Sequence, residues 1–474
     1  MIAVHTFKDK NIALFGLGGS GLAAAHALMA GGATIHAWDD NESGRIKAGE
    51  QNIPVLDLNQ IDWSQFSALI LAPGVPLTHP APHWVVQKAQ TAKVEIIGDM
   101  ELFARELANT MPDAPLIAIT GTNGKSTTTA LIAHLLKTAG RDVQMGGNIG
   151  VPVLQLEPPV EGRIYVLEVS TFQIDLTPSL NPSIGILLNI TPDHIDRHGD
   201  FKNYASIKER LIQNSDMAII SNDDAHCRMI ALRRQEQIIQ EKNLPMVTIS
   251  ANERLEQGIF AGGSAIMLAR GERTLKIADI NGIGSLRGRH NAQNVTAAIA
   301  AVSLQGVDAA TIQAGLDSFP GLEHRMEEIG HLGRTVFIND SKATNADSTD
   351  KALSAFENGI FWIVGGKAKE GGIEGLSHHF SRIEKAYLIG DAITEFASTL
   401  EGKIPFELSQ TLEMALEHAA IDAVGSKAEQ PVVLLSPACA SYDQFANFEM
   451  RGKRFRDLSY ALPGFEPLLT RTRS

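Results

Sequence analysis

The chain has 474 residues, with 41 Lys and Arg against 54 Asp and Glu, a formal net charge of −13, and two cysteines, Cys227 and Cys439. At roughly 100 to 200 residues per domain, this length predicts about three domains. The acidic balance, without a basic run, excludes nucleic acid as a partner, and two distant cysteines without CxxC spacing give neither a disulfide framework nor a thiolate zinc site.

The opening residues MIAVHTFKDKN lack the apolar stretch of a signal peptide, and no run of about 18 apolar residues is present to span a membrane. A cytoplasmic protein without a membrane partner is expected. The first predicted elements are a strand at Ile12 to Phe15, a helix from Leu22 to Ala30 ended by Gly31-Gly32, and a strand at Thr34 to Trp38, a βαβ beginning that implies a parallel sheet. Between strand and helix, Gly16-Leu17-Gly18-Gly19-Ser20-Gly21 fits GxGxxG, and Asp39 ends the next strand, where an acid meets a ribose. The physics of that motif is close backbone approach to a diphosphate at a helix N-terminus, which suits NAD or a UDP-linked substrate. Strands are predicted at Ala68 to Leu71, before Ala72-Pro73-Gly74, and at Val94 to Ile97, before Gly98. A first domain of residues 1–98 is expected.

The next segment, 99–321, carries a strand at Leu116 to Ile119, the loop Gly121-Thr122-Asn123-Gly124-Lys125-Ser126, and a helix with Ile132, Leu135, Leu136 and Ala139 on one face. In this order the loop's backbone N–H groups and the helix N-terminus converge on phosphate oxygens, Lys125 adds a positive charge, and Ser126 is placed for Mg²⁺. A strict P-loop has Gly where this chain has Ile119, so the match is to the shorter GxxGK[ST] form. Glu168 ends the apolar run Ile164 to Leu167, as either a Mg²⁺-orienting acid or a surface strand end. Asn189 to His198 clusters polar ligands after a strand, and His194 is a candidate to complete a metal shell with Glu168. From about Met246 to Leu286 the pattern predicts a small antiparallel sheet, closed by a helix from Asn291 to Leu304.

After Phe319-Pro320-Gly321, a third segment, 322–474, has predicted strands near Thr335 to Ile338, Phe361 to Val364, Ala386 to Ile389 and Val432 to Leu435. This is a second open α/β sheet, whose ligands are expected at the loops after the strands. Those loops are Asn339 to Asn345, Gly365 to Lys369 and Ser436 to Ser441, and Ser441 with Gln444 reads as a capping box opening a helix suited to a carboxylate. The fold class is α/β in three domains: a Rossmann-like N-terminal domain, a central P-loop ATPase-type domain with the small antiparallel sheet, and a Rossmann-like C-terminal domain.

TGTNGKST (Thr120 to Thr127), GGNIG (Gly146 to Gly150), LEVSTFQ (Leu167 to Gln173), LNITPDHIDRH (Leu188 to His198), GRHNAQN (Gly288 to Asn294), NDSKATN (Asn339 to Asn345) and SPACASYDQF (Ser436 to Phe445) occur in this order. Together they resemble the Mur ligase superfamily and, within it, the family of UDP-N-acetylmuramoyl-L-alanine:D-glutamate ligases. NDSKATN and SPACAS discriminate that family, and the DNPR motif of the diaminopimelate- or lysine-adding ligases is absent.

The resemblance implies ATP-dependent amide formation through an acyl phosphate, in peptidoglycan precursor synthesis, by a monomer. It implies that Gly121, Thr122, Asn123, Gly124, Lys125, Ser126 and Thr127 hold the triphosphate, with Asn291, Arg325 and Asp340 also contacting ATP. Two Mg²⁺ ions would be served by Ser126, Glu168, His194 and a carbamylated Lys208, and Lys125, His194 and Lys208 are the catalytic candidates. Gly18, Gly19, Ser20, Asp39, Pro73 and Gly74 would surround the UDP end of the substrate, with Asn148 and Ser170 at its muramoyl part. Lys342, Thr344, Lys369, Ser441 and Phe448 would receive D-glutamate. Ile207, Glu323 and Tyr442 depart from the family pattern, which has Ala, Pro and Leu there, and Asp39-Asp40-Asn41 is one of several patterns at the uracil site. Domain closure is expected, with hinges near Gly98 and Pro320-Gly321. The competing readings are a folylpolyglutamate-type ligase of the same superfamily, an NAD-dependent oxidoreductase built on Gly16 to Gly21, and an ATP-gated binding protein without chemistry. The oxidoreductase reading leaves the Lys125 loop and the third sheet unexplained.

Overall fold

A computed structural model describes residues 1–237, 245–368 and 371–468. Short runs in which every side chain is apolar, such as Ala68–Leu71 and Ile184–Leu187, are buried at every position. Burial on both faces suits the interior of a parallel sheet flanked by helices, and the chain builds such sheets repeatedly.

Strands β1 (Asn11–Phe15), β2 (Thr34–Trp38), β3 (Ala68–Leu71) and β4 (Glu95–Ile97) form a parallel sheet in the order β2-β1-β3-β4. A nine-stranded sheet follows, made of β5 (Leu116–Thr120), β6 (Val143–Gly147), β7 (Ile164–Glu168), β8 (Ile184–Leu187), β9 (Met217–Ser221), β10 (Met246–Ser250), β11 (Gln257–Gly262), β12 (Ala265–Arg270) and β13 (Arg273–Asp279). Its order is β13-β12-β11-β10-β9-β8-β5-β7-β6. The expected antiparallel strands are present, but β11 to β13 extend one edge of this sheet, since β11 pairs in parallel with β10.

The seven-stranded sheet contains β14 (Glu327–Leu332), β15 (Thr335–Asn339), β16 (Ile360–Gly365), β17 (Ile383–Ile389), β18 (Phe406–Gln410), β19 (Val432–Leu435) and β20 (Phe465–Pro467), in the order β18-β17-β16-β19-β15-β14-β20. Strands β6, β18 and β20, which the sequence pattern does not announce, are sheet edges, and β14 lies beside one. Edge strands have one neighbour and tolerate polar residues and glycine, so VQMGG and FELSQ carry little apolar signal.

The chain divides into two compact units: Met1–Asn281 with Ala292–Asp317, and Gly282–Asn291 with the chain from Ser318 onward. The first two sheets lie in one unit and share a core in which Leu14, Leu28, Phe103, Leu116 and Tyr165 are buried together. Helix Asp99–Thr110 stands between them; its Glu106 carboxylate accepts from the backbone N–H of His5 at 2.8 Å, and Glu101 accepts from Ser179 Oγ at 2.7 Å. In the second unit, layers on the two sheet faces pack around Trp362 and Phe380 on one side and Phe337, Leu416 and Phe455 on the other. Among the described residues, no helix is long and apolar enough to cross a membrane.

Candidate active site

The phosphate loop leaves β5 and enters helix Lys125–Thr138 through two glycines with left-handed backbone, Gly121 (φ 154°) and Gly124 (φ 84°). A Cβ on Gly124 would lie 2.2 Å from Asn294 Oδ1, so this position requires glycine on both backbone and steric grounds. Lys125 Nζ curls over the loop and donates to the carbonyls of Gly121 and Thr122 at 2.9 Å each. Ser126 and Thr127 are buried in the first turn of the helix.

A second lysine reaches the same place. Lys208, on helix Phe201–Gln213, is 1 % exposed and donates from Nζ to Gly121 O at 2.8 Å. Burial, and then the charge of Lys125, holds its pKa well below the ordinary lysine value. Glu168, at the end of β7, is buried; Asn148 Nδ2 donates to its Oε1 at 2.7 Å, while its Oε2 has no hydrogen-bond partner among the described residues. A buried carboxylate oxygen left unpaired is costly, and a hard cation is the partner its chemistry suits.

The loop after β8 braces the phosphate loop. Asn189 accepts from the Asn123 N–H at 2.8 Å and donates to Asn123 O at 3.1 Å and Gln293 Oε1 at 2.8 Å. Thr122 Oγ1 is 3.0 Å from the Tyr204 hydroxyl. His194 is exposed on that loop, its ring 5.3 Å from that of Phe172 and its Nε2 3.5 Å from Asp193. His198, by contrast, is buried, stacked on Phe172 and 2.9 Å from Thr171 Oγ1. Glu168 and His194 are not part of any group of three or more His, Cys, Asp or Glu ligands among the described residues. Ser170 caps helix Thr171–Asp175 in a capping box with Gln173.

At the first glycine loop, Gly18 precedes helix Gly19–Ala30, and a Cβ on Gly21 would strike Gly16 O at 1.8 Å. Asp39 holds the loop's shape: it accepts from the N–H groups of Leu17 at 2.6 Å and Asn41 at 2.8 Å. Ser20, Pro73 and Asp99 line a small cavity at the ends of β1 and β3, and Gly74 follows in the turn. Burial raises the pKa of Asp99 to about 6.

In the second unit, three loops meet at the ends of β15, β16 and β19. The segment at Lys367 pairs with Ala440 through two backbone hydrogen bonds of 2.9 and 3.1 Å. Ser341 Oγ donates to Phe448 O at 2.8 Å, and Lys342 Nζ lies 5.4 Å from the Phe448 ring centroid. Thr344 follows in the same loop and Ser441 is buried beside Ala440. Arg451, which sequence reasoning missed, ties these loops together: its guanidinium donates to Ser341 Oγ at 3.0 Å, Ser341 O at 2.9 Å and Cys439 O at 3.1 Å. No local pattern marks an Arg in the middle of an ordinary helix. Asp340, buried, accepts from Ser436 Oγ and the Met326 N–H, and burial raises its pKa to about 7 against the pull of these bonds and of Arg325. Asn291 donates to Arg287 O at 2.8 Å. Lys369 lies outside the described residues.

Ser441 and Gln444 do not open a helix; the chain turns through 441–447, and helix Phe448–Tyr460 begins after Asn447, whose side chain accepts from the Met450 N–H at 2.8 Å. Ser/x/x/Gln spacing marks a cap only where helical backbone follows, and here the Gln444 side chain donates instead to Gln410 O.

A glycine loop between a parallel strand and a helix, with Lys and Ser at the helix head and an acid ending the neighbouring strand, defines a P-loop nucleotide-binding protein of the α/β class. Residues 119–302 match the Mur ligase middle domain and residues 324–439 the Mur ligase glutamate ligase domain. The chain is 57 % identical over 468 residues to a UDP-N-acetylmuramoylalanine--D-glutamate ligase of Brucella abortus (strain 2308), covering 99 % of each chain, and 56 % identical over 472 residues to one from Nitrobacter winogradskyi, covering 99 % of this chain and 100 % of the relative. The fold is also that of UDP-N-acetylmuramate-alanine ligase from Thermotoga maritima, with TM-score 0.58 at 20 % identity over 95 % of this chain and 99 % of the other. The chain therefore belongs to the Mur ligase family, among its UDP-N-acetylmuramoylalanine--D-glutamate ligases.

Proposed function

We infer that the protein uses ATP to join D-glutamate to UDP-N-acetylmuramoyl-L-alanine in peptidoglycan synthesis. The observation that carries the ATP half is the convergence of Lys125 and Lys208 on one carbonyl of the phosphate loop, together with a buried Glu168 oxygen that has no hydrogen-bond partner among the described residues. The strain of two lysines on one oxygen is relieved when Lys208 becomes an anionic carbamate, which leaves Lys125 as the cation that faces the polyanionic phosphates. The names of the full-length relatives support the two substrates.

The alanyl carboxylate attacks the γ-phosphorus, the bond from that phosphorus to the β-γ bridging oxygen breaks, and ADP leaves with an acyl phosphate formed. The amine of D-glutamate then attacks the acyl carbon; phosphate departs and the amine loses a proton. Lys125 and the loop N–H groups stabilise charge on the phosphoryl oxygens, a preorganised effect that needs no rearrangement during reaction. Ser126, Glu168, His194 and Lys208 would hold two Mg²⁺ ions, which when bound neutralise charge between the reacting oxygens. Asn148 holds one oxygen of the Glu168 carboxylate and leaves the other available for that role.

Lys208 takes part as a carbamate. Its buried, low-pKa amine attacks the carbon of CO₂, forming the N–C bond and releasing a proton, and the product is an anion with carboxylate oxygens, which reverses its attraction for metal. Gly18, Gly19, Ser20, Asp39, Pro73, Gly74, Asn148 and Ser170 form the UDP-substrate side in this reading, and Lys342, Thr344, Lys369, Ser441 and Phe448 receive D-glutamate. Asn291, Arg325 and Asp340 complete the ATP contacts. The functional domains are 1–98, 99–321 and 322–474, in a cytoplasmic monomer.

The test is phosphate release from ATP with UDP-N-acetylmuramoyl-L-alanine and, in turn, D-glutamate, L-glutamate or no amino acid. D-glutamate alone is expected to stimulate release; stimulation by another amino acid in its place overturns the substrate assignment. Lys125→Ala is expected to abolish turnover, and retained activity would refute the phosphate-loop reading.

A further inference from the structure

Away from the loops described above, the second unit carries two adjacent histidines that share one carboxylate. Asp350 lies on helix Ala346–Ser354, while His378 and His379 lie on the 3-10 helix Glu374–Arg382. Asp350 Oδ1 is 3.0 Å from His378 Nε2 and 2.9 Å from His379 Nε2, and the three atoms all lie within 4.8 Å of one another. The two imidazole rings stand 4.0 Å apart at 43°. It is the only group of three such ligands among the described residues.

The spacing has a specific chemical meaning. Four ligands at about 2.1 Å from a tetrahedral ion stand about 3.4 Å from one another, so the two nitrogen-to-oxygen edges present are within a few tenths of an ångström of that frame. Two neutral imidazoles and a carboxylate suit borderline ions such as Zn²⁺, in contrast to the all-oxygen shells preferred by Mg²⁺ and Ca²⁺. His379 is buried and Asp350 half-buried, which fixes two ligands, whereas His378 is exposed and leaves a position open to water. Burial also removes most rotamer freedom from His379, so less ordering is needed on binding.

We propose that Asp350, His378 and His379 form a site for a divalent transition metal of the Zn²⁺ class, clamping the 3-10 helix Glu374–Arg382 to helix Ala346–Ser354. That helix starts at the Asn345 cap, directly after Lys342 and Thr344. A bound ion therefore stiffens the support of that loop. The proposal rests on the geometry of the second unit alone and stands or falls apart from the reaction assigned above. In the metal-free protein His379 Nε2 is hydrogen-bonded to Asp350 Oδ1, and His378 Nε2 lies 3.0 Å from the same oxygen.

The experiment is calorimetric titration of the chelator-stripped, full-length protein with Zn²⁺ in the presence of excess Mg²⁺. Co²⁺ substitution, read by visible absorption, reports low-coordinate binding with nitrogen ligands. Wild-type protein is expected to take up about one equivalent, and His378→Ala and Asp350→Asn to weaken uptake by about tenfold or more. His378 is exposed and outside the catalytic and binding machinery, so His378→Ala is expected to keep its thermal midpoint and its D-glutamate-dependent phosphate release without Zn²⁺. No saturable uptake by wild type, or uptake undiminished in both variants, would overturn the proposal. A Zn²⁺-induced rise in thermal midpoint that is lost in His378→Ala would support it.

Discussion

Lys125 and Lys208 direct their amino groups at the carbonyl of Gly121 from 4 and 87 residues further along the chain, and only one of them sits in a recognisable motif. The other is enclosed against Tyr204, whose ring centroid is 4.8 Å from its Nζ. If Lys208 is carbamylated, protein equilibrated with ¹³C-bicarbonate will show a carbamate carbon resonance that Lys208→Met lacks; its presence in that variant would assign the carbamate elsewhere. Asp99 offers a second test at a single residue. Its pKa is raised by burial from 3.8 to about 6, so between these values the folded state keeps a proton that the unfolded chain has released. Stability from this group is therefore greatest below about pH 4 and falls as pH rises to about 6. Asp99→Asn removes the term, and its urea midpoint is expected to match wild type near pH 4 and exceed it above pH 6. A difference that shrinks with rising pH would contradict the assigned burial cost.

At the level of elements, the phosphate loop and the glutamate-side loops are held by different devices. The first depends on backbone that only glycine adopts easily: Gly124→Ala places a Cβ against Asn294 in left-handed backbone and is expected to cost about 1–3 kcal/mol in urea unfolding, with loss of turnover. The second depends on a buried guanidinium. Arg451→Lys cannot reproduce the fork across Ser341 and Cys439, and a loss of about 2–4 kcal/mol is expected. Because Arg451 acts through those loops, the variant should also raise KM for D-glutamate while leaving KM for the UDP substrate unchanged, a split that general destabilisation would not produce. The Asn447 cap is a smaller contributor: Asn447→Ala removes one helix-end hydrogen bond, about 1 kcal/mol.

Over the whole molecule, the loop residues assigned to the triphosphate belong to one compact unit, and the residues assigned to D-glutamate belong to the other, with the further proposed ATP contacts Asn291, Arg325 and Asp340. The two half-reactions are accordingly expected to separate by mutation. Lys125→Ala should lose ADP formation altogether, whereas Lys342→Ala should retain a single turnover of ADP formation with the UDP substrate and lose amide formation. Rapid-quench measurement of ADP and amide checks both.

Apart from β14, the strands inside the sheets and the phosphate loop were legible in the sequence because their signals are local. An apolar run long enough to be buried on both faces, a glycine where φ must be positive, and a Lys-Ser pair at a helix head each announce themselves within a few residues. The edge strands β6, β18 and β20 were not legible, since an edge needs no such run. Tertiary structure alone decided what the polar residues do. It gave Asp39 the backbone of its own glycine loop, left one Glu168 oxygen without a partner, and brought Lys208 to Gly121 across 87 residues of chain. It also moved the last helix start from Ser441 to Asn447 and set Arg451 among loops 110 and 12 residues away. A polar side chain takes its partner from whatever the folded core places beside it, and sequence spacing carries no record of that distance.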